Sequence, residues 1–480
     1  MKTSSSRLVV AGLSGDAGKT IASLSILTAL RSRGLAVSVF KKGPDYIDPS
    51  WLSSVSQTAC RSLDTYMVDP EAVVRSFVVN ADRSDISVIE GNRGLFDGRD
   101  VSGTHSTAQL AKLLGAPVVL VVNAAKSTRT LAAIVRGCLD FDPDLNVAGV
   151  ILNRIRGERH LGIARESIAK YCGLPVLGAI PNLGDDSALI PGRHLGLITP
   201  SEYEFGADLR ARLHAIAENH LDVDRMIEIA RSASSLSCAG RGAIPDAPSQ
   251  VKIGCFKDSV FTFYYPENLE ALEAKGAQLV PVSSLSDESL PEIDALYIGG
   301  GFPETHAEQL VRNRSMMSSV QREALDGLPI YAECGGLIYL ARSLRFNDVV
   351  YPMAGLFPVD LCMHRKPVGH GYTSVRVVAP NPFYAVGTSI RGHEFHYSAP
   401  IDRLPEAETC MKVESGVGAD GGRDGLIRSN TLACYTHVHA DGTKSWASAM
   451  ISRAAAHAAR RRGRRIENNG TNGWFELKAI

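Results

Sequence analysis

The residues best suited to chemistry lie at Glu333-Cys334-Gly335-Gly336, where the apolar run 329–332 stops at a cysteine followed by two glycines. A buried strand that ends in a turn reads this way. A cysteine on a strand-to-helix turn has its sulfur pushed into the open, and the glycines accept tight backbone angles that leave N–H groups beside it. Cys334 is therefore a candidate nucleophile and Gly335 a candidate oxyanion donor. The alternative is a small buried cysteine beside a turn, and two later stretches count against it. Gly299-Gly300-Gly301 follows the apolar stretch 295–298 and offers Gly300 as a second donor. Ala433-Cys434-Tyr435-Thr436-His437-Val438-His439 carries two histidines that strand alternation sets on one side. One would accept the Cys334 proton and the other would orient it. His393, on another apparent strand, is a competing base with a structural or domain-contact role as its reading.

A second constellation opens the chain. Leu8-Val9-Val10-Ala11 reads as a buried strand and Gly12-Leu13-Ser14-Gly15-Asp16-Ala17-Gly18-Lys19-Thr20 follows, with an apolar helix after it. Strand, glycine loop and helix form the setting in which backbone N–H groups cradle phosphates. Gly12, Gly15, Asp16, Ala17 and Gly18 would line that cradle. Lys19 would reach the β- and γ-phosphates, and the Thr20 hydroxyl would ligate Mg²⁺. Gly12 stands one position further from Gly18 than the usual spacing, a variant that resembles the dethiobiotin-synthetase-like branch of P-loop proteins. Asp45 and Asp48 follow the strand that ends at Lys41, and Glu90 ends another. Thr20, Asp45 and Glu90 would converge on one Mg²⁺, a cation that prefers oxygen. Asp48 and Asp97 are candidates for a second cation or for positioning the acceptor, and each is equally readable as a loop cap. Asn153 closes the apolar run 147–152, where it would meet an adenine edge or form a turn.

The elements that must hold these residues follow from patterning. The runs 117–122 and 147–152 are almost wholly apolar, as strands buried on both faces of a parallel sheet are. Strands alternate with helices as far as about residue 231, which predicts a doubly wound α/β domain. Ser232 to Gln250 is rich in Ser, Ala, Gly and Pro and reads as a linker. A second α/β domain spans 251–453, and a basic tail spans 454–480. The tail reads as a solvated helix end, with residues from Glu467 onward expected to lack order. At 480 residues, two to three domains are expected. Lys plus Arg and Asp plus Glu balance at 51 each, so global charge points to neither nucleic acid nor membrane. Nine cysteines without a CxxC pair suit a reducing, cytoplasmic setting.

Gly12-x5-Gly-Lys-Thr, Lys42-Gly-Pro-Asp-Tyr-Ile-Asp-Pro49, Glu90-Gly-x-x-Gly-Leu-Phe-Asp-Gly98, Gly299-Gly-Gly-Phe-Pro-Glu304, Glu333-Cys-Gly-Gly336, Gly392-His-Glu-Phe-His-Tyr-Ser398 and Tyr435-Thr-His437 occur in this order. Together they resemble the cobyrinate a,c-diamide synthase family of cobalamin biosynthesis. The resemblance implies an amide-forming ATPase half and a class I-type glutaminase half, with Cys334 as nucleophile and His437 as its activating histidine. His439 stands where triad glutaminases place an acid. The implied reaction is ATP- and glutamine-dependent amidation of the a- and c-acetates of cobyrinic acid through an acyl phosphate. The implied partners are a tetrapyrrole macrocycle, L-glutamine, ATP and Mg²⁺, and a homodimer is a candidate assembly. Lys42 and Asn92-Arg93 depart from the family pattern, which leaves sirohaem or nickel-sirohydrochlorin as alternative macrocycles. A P-loop switch, or a tetrapyrrole-binding regulator with an inert second domain, is the alternative of another class.

Overall fold

The computed structural model describes residues 2–3, 5–184, 189–190, 192–193, 196–197, 200, 207–238, 251–405 and 408–472. Much of the 232–250 linker and the end of the tail, 473–480, therefore lie outside the described residues. The chain divides into two compact units, residues 1–242 and 243–480.

The first unit is built on seven parallel strands: β1 (Ser6–Gly12), β2 (Val37–Lys42), β3 (Arg61–Leu63), β4 (Ile86–Glu90), β5 (Val118–Asn123), β6 (Val147–Ile155) and β7 (Val176–Pro181). Their spatial order is β3-β2-β4-β1-β5-β6-β7. This is the doubly wound sheet that the apolar runs predict. The order changes direction at β1, so the phosphate loop that follows β1 sits at the switch point, where such sheets bind ligands. Gly18, at φ +93°, caps helix α1 (Lys19–Ser32), whose Leu24, Ile26, Leu27 and Leu30 are buried. The short edge strand β3 carries too few residues for a sequence signal.

The second unit has a nine-stranded sheet, β9-β8-β10-β11-β18-β17-β16-β14-β15 in spatial order. Its parallel half is β8 (Val251–Phe256), β9 (Ala277–Val282), β10 (Ala295–Ile298), β11 (Ile330–Glu333) and β18 (Thr431–Cys434). Its antiparallel half is β14 (Gly369–Val377), β15 (Ser389–His396), β16 (Thr409–Ser415) and β17 (Arg423–Arg428). Among the strands of a separate four-stranded sheet are β12 (Ser343–Phe346) and β13 (Asp360–Met363). Helix α2 (Gly335–Leu340) follows β11 directly. The C-terminal helix α3 runs Ser445–Asn472, past the point where the sequence suggests that order ends. Arg461, within its basic cluster, donates to Ile293 O at 2.9 Å and to Asp294 Oδ1 at 2.9 Å. That contact supports a structural reading of this part of the cluster.

Candidate active site

Cys334 stands between β11 and α2 with φ +47° and ψ −96°, a conformation that non-glycine residues rarely adopt. Strain of this kind costs on the order of 1–3 kcal/mol and collects at functional sites. The parallel pairing of Glu333 with Cys434 continues into a bond from Cys334 N–H to Cys434 O at 2.8 Å, so two sheet strands hold the elbow. The thiol is only 7% exposed. Burial, with the charge of Glu304 behind it, pushes its pKa well above the ordinary thiol range, while the Gly335 N–H works in the opposite sense. A resting thiol of this kind needs a base.

The Cys334 thiol donates to Phe395 O at 3.7 Å, and His437, the base expected from the sequence, pairs with a carboxylate rather than with His439. His437 Nδ1–H donates to Glu333 Oε2 at 3.2 Å. Glu333 also accepts from Val438 N–H at 3.3 Å and from the Tyr297 hydroxyl at 3.3 Å. With Nδ1 protonated by this bond, Nε2 carries the lone pair that can take a proton. His439 is directed elsewhere: its Nδ1 accepts from Asp441 N–H at 3.2 Å and its Nε2 lies 3.7 Å from Glu267. Strand β18 ends at Cys434, so alternation no longer governs the two histidines. The buried carboxylate of Asp424 braces the segment before His437, accepting from Tyr435 N–H, Thr436 N–H and the Thr436 hydroxyl at 2.8–3.0 Å. His393 pairs with His437 through both backbone groups and stacks on its ring at 4.8 Å. Burial and the neighbouring His437 hold His393 well below the usual histidine range, so it packs as a neutral ring.

Gly300 and Gly301, after β10, differ in whether their N–H is free. Gly300 N–H donates to Phe263 O at 3.2 Å and is already engaged. Gly301 N–H has no such partner among the described residues. Gly301 N lies 2.9 Å from where a Gly335 Cβ would stand, so only glycine at 335 allows these two backbones to meet. A Cβ on Gly301 itself would fall 1.8 Å from Val260 O. Of these two strand-end glycines, Gly301 rather than Gly300 has its N–H available beside Gly335.

At the phosphate loop, Gly15–Ala17 form a 3₁₀ turn and Gly12 packs against Ala17 and Lys19. Lys19 Nζ donates to Ser14 O at 2.7 Å and to Arg93 O at 2.9 Å. Asn153 does not offer its amide to a base here: its Nδ2 donates to Ala17 O at 3.0 Å and its Oδ1 accepts from Arg154 N–H. It braces the loop instead, and a Cβ on Gly18 would stand 2.0 Å from it.

Asp45, Asp48 and Glu90 converge on a residue that the motifs did not single out, and Thr20 joins them through Glu90. Lys41 Nζ, on a side chain 1% exposed, lies 2.6 Å from Glu90, 2.5 Å from Asp48 and 3.7 Å from Asp45. Burial opposes its charge, but Asp48, Glu90 and Asp45 outweigh that and hold the ammonium well above the usual lysine range. Thr20 Oγ1 donates to Glu90 Oε1 at 3.3 Å. Burial and the charge of Asp48 push Asp45 up to about 7. Among the described residues no group of three His, Cys, Asp or Glu side chains forms a metal set. The oxygen donors still fit a hard cation, because Glu90 Oε2 is buried without a hydrogen-bond partner. Asp97 is spent on its own loop, accepting from Gly94 N–H at 3.0 Å.

A cysteine elbow with a histidine–carboxylate pair in one unit, and a P-loop in the other, define a glutamine amidotransferase coupled to a nucleotide-binding half. Residues 252–445 match the family model of the CobB/CobQ-like glutamine amidotransferase domain, and residues 8–194 that of the CobQ/CobB/MinD/ParA nucleotide binding domain. The chain is 40% identical over 454 residues to a cobyrinate a,c-diamide synthase of Magnetococcus marinus, covering 92% of this chain and 95% of that one. It is 42% identical over 450 residues to one of Archaeoglobus fulgidus, with 93% and 97% covered. The counterpart of Salmonella typhimurium is 37% identical over 438 residues, with 90% and 94% covered. The chain belongs to the cobyrinate a,c-diamide synthase family, whose members are amidating ligases.

Proposed function

We propose that this chain amidates the a- and c-acetate carboxylates of cobyrinic acid, using glutamine as nitrogen donor and ATP as activator. The observation that carries the reading is the pairing of a strained cysteine elbow, served by His437 and Glu333, with a phosphate loop on the same chain.

In the glutaminase half, the Cys334 thiol passes its proton to His437 and the thiolate adds to the glutamine carboxamide carbon. Gly335 and Gly301 N–H groups hold the oxyanion. His437 returns the proton to the leaving nitrogen, ammonia departs, and water cleaves the thioester to glutamate. Glu333 keeps the imidazole in the tautomer that this requires. In the synthetase half, an acetate carboxylate of the macrocycle attacks the γ-phosphorus of ATP, releasing ADP and forming an acyl phosphate. Lys19 exchanges its two carbonyl partners for phosphate oxygens and balances their charge. Ammonia then displaces phosphate to give the amide, and a second round gives the diamide. Thr20, Asp45 and Glu90 would hold Mg²⁺, which when bound supplies charge neutralisation on the phosphates. Nine free thiols and a nucleotide-consuming reaction fit a cytoplasmic setting.

The test is glutamate and ADP release with cobyrinic acid, sirohaem and nickel-sirohydrochlorin offered separately. Stimulation by cobyrinic acid, with two amides in the product, is expected. Stimulation by another macrocycle alone would move the reading to that substrate, and none at all would favour a nucleotide switch or a binding protein.

A further inference from the structure

The loop that leaves β4 is fastened at nearly every point. Asn92 exchanges two hydrogen bonds with Thr107 Oγ1 at 3.2 Å each, and Leu95 N–H donates to Gly12 O at 2.7 Å. Gly94 N–H is taken by Asp97. Asn92 also presses on the end of β2, where a Cβ on Gly43 would stand 2.9 Å from its Nδ2. Arg93 is the exception. Its backbone is held at φ +51°, and its carbonyl accepts the bond from Lys19 Nζ. Its side chain is exposed, and no hydrogen bond or ion pair engages it among the described residues.

A left-handed backbone favours glycine, and a bulky residue there costs about 1 kcal/mol. An arginine that carries this cost while leaving its guanidinium uncommitted suggests that the guanidinium has a partner outside the chain. The backbone bond to Lys19 sets Arg93 beside the place where the γ-phosphate is proposed to sit. Burial holds Lys42 below the usual lysine range; Asp64 opposes this, and the like charge of Arg93 adds to it. An anion brought to this edge relieves that repulsion.

We propose that Arg93 anchors a carboxylate of the acceptor macrocycle, aligning an acetate with the phosphate loop. The inference rests on the amidation reading above and adds a residue that selects the acceptor. A guanidinium pairs with a carboxylate through two parallel N–H···O bonds, which fixes direction as well as distance. Neighbouring carboxylates of a tetrapyrrole periphery suit such a grip, since one can be held while another reacts.

The experiment measures initial rates with an ammonium salt as nitrogen source, so that the glutaminase half is bypassed. KM for cobyrinic acid and KM for ATP are determined separately for the wild-type protein, Arg93→Met, Arg93→Lys and Arg93→Gly. Arg93→Gly removes the side chain while easing the backbone, so a folding defect is not expected from it. Loss of a charge-assisted pair predicts a rise of about tenfold or more in KM for cobyrinic acid in the Met and Gly variants. Arg93→Lys should fall between them and wild type, and KM for ATP should stay within twofold. An unchanged KM for cobyrinic acid, or a rise confined to ATP, would overturn the anchor while leaving the amidation reading intact. A wild-type protein that amidates no macrocycle would remove the amidation reading and the anchor with it.

Discussion

Glu333 precedes Cys334 in the chain, yet its carboxylate reaches His437, 104 residues later, at 3.2 Å. One two-residue step therefore sets a carboxylate on His437 and a cysteine at the elbow. The parallel register of β11 on β18 makes this possible by placing Glu333 opposite Cys434. The elbow turns Cys334 away from the strand direction while Glu333 stays within it.

Glu333→Gln keeps the shape but removes the charge and turns one acceptor oxygen into a donating NH2; with the amide oxygen kept on Val438 N–H, the NH2 faces His437 Nδ1 and favours the wrong tautomer. Glutaminase turnover should fall by about 10²-fold or more, while His439→Ala, if it folds, costs less than tenfold. Glutamate release compared across the two variants checks this, and a larger loss at His439 would contradict the assignment.

The strain at Cys334 makes a stability prediction. Cys334→Gly should be more stable than Cys334→Ala by about 1 kcal/mol, because only glycine takes a positive φ without cost. Chemical denaturation of the two inactive proteins measures the difference. Equal stabilities would mean that the elbow is relaxed in solution.

Burial holds the Cys334 thiol above the ordinary range. A raised pKa means less thiolate at any pH below it. Alkylation of the Cys334 peptide, followed by mass spectrometry, should be slower at pH 8 than that of free cysteine, and its rate should still be climbing at pH 10. A plateau near pH 8 would indicate that His437 already holds the thiol proton in the resting protein.

Lys41 predicts an exchange between a fixed and a bound cation. Lys41→Met removes the ammonium from Asp48 and Glu90 and should destabilise the protein by about 3 kcal/mol. Added Mg²⁺ should then raise the melting temperature more in the variant than in wild type, since buried carboxylates left without their cation gain most from another. Equal shifts in the two proteins would place Mg²⁺ away from this cluster.

What the sequence made legible were features carried by adjacent residues. The elbow at Cys334, the loop ending Gly18-Lys19-Thr20 and the apolar strands each signal through local order, and the fold class follows from them. What stayed hidden depends on register and direction. Gly300 and Gly301 are indistinguishable as letters, and the bridge from Phe263 to Gly300 decides which N–H is spent. His439 looks equivalent to His437 until β18 stops at Cys434. Lys41 reads as one more residue of β2, because nothing local shows that three carboxylates gather around its ammonium. Asn153 reads only as a polar strand end, and that its amide reaches Ala17 O is a matter of side-chain direction.

The most direct test supplies amide-¹⁵N-glutamine together with unlabelled ammonium to the wild-type protein and to Cys334→Ser, with ATP and cobyrinic acid. Wild type should yield a diamide enriched in ¹⁵N, whereas Cys334→Ser should yield the same diamide without label and release no glutamate. Label retained in the Cys334→Ser product would show that nitrogen is freed elsewhere than at position 334.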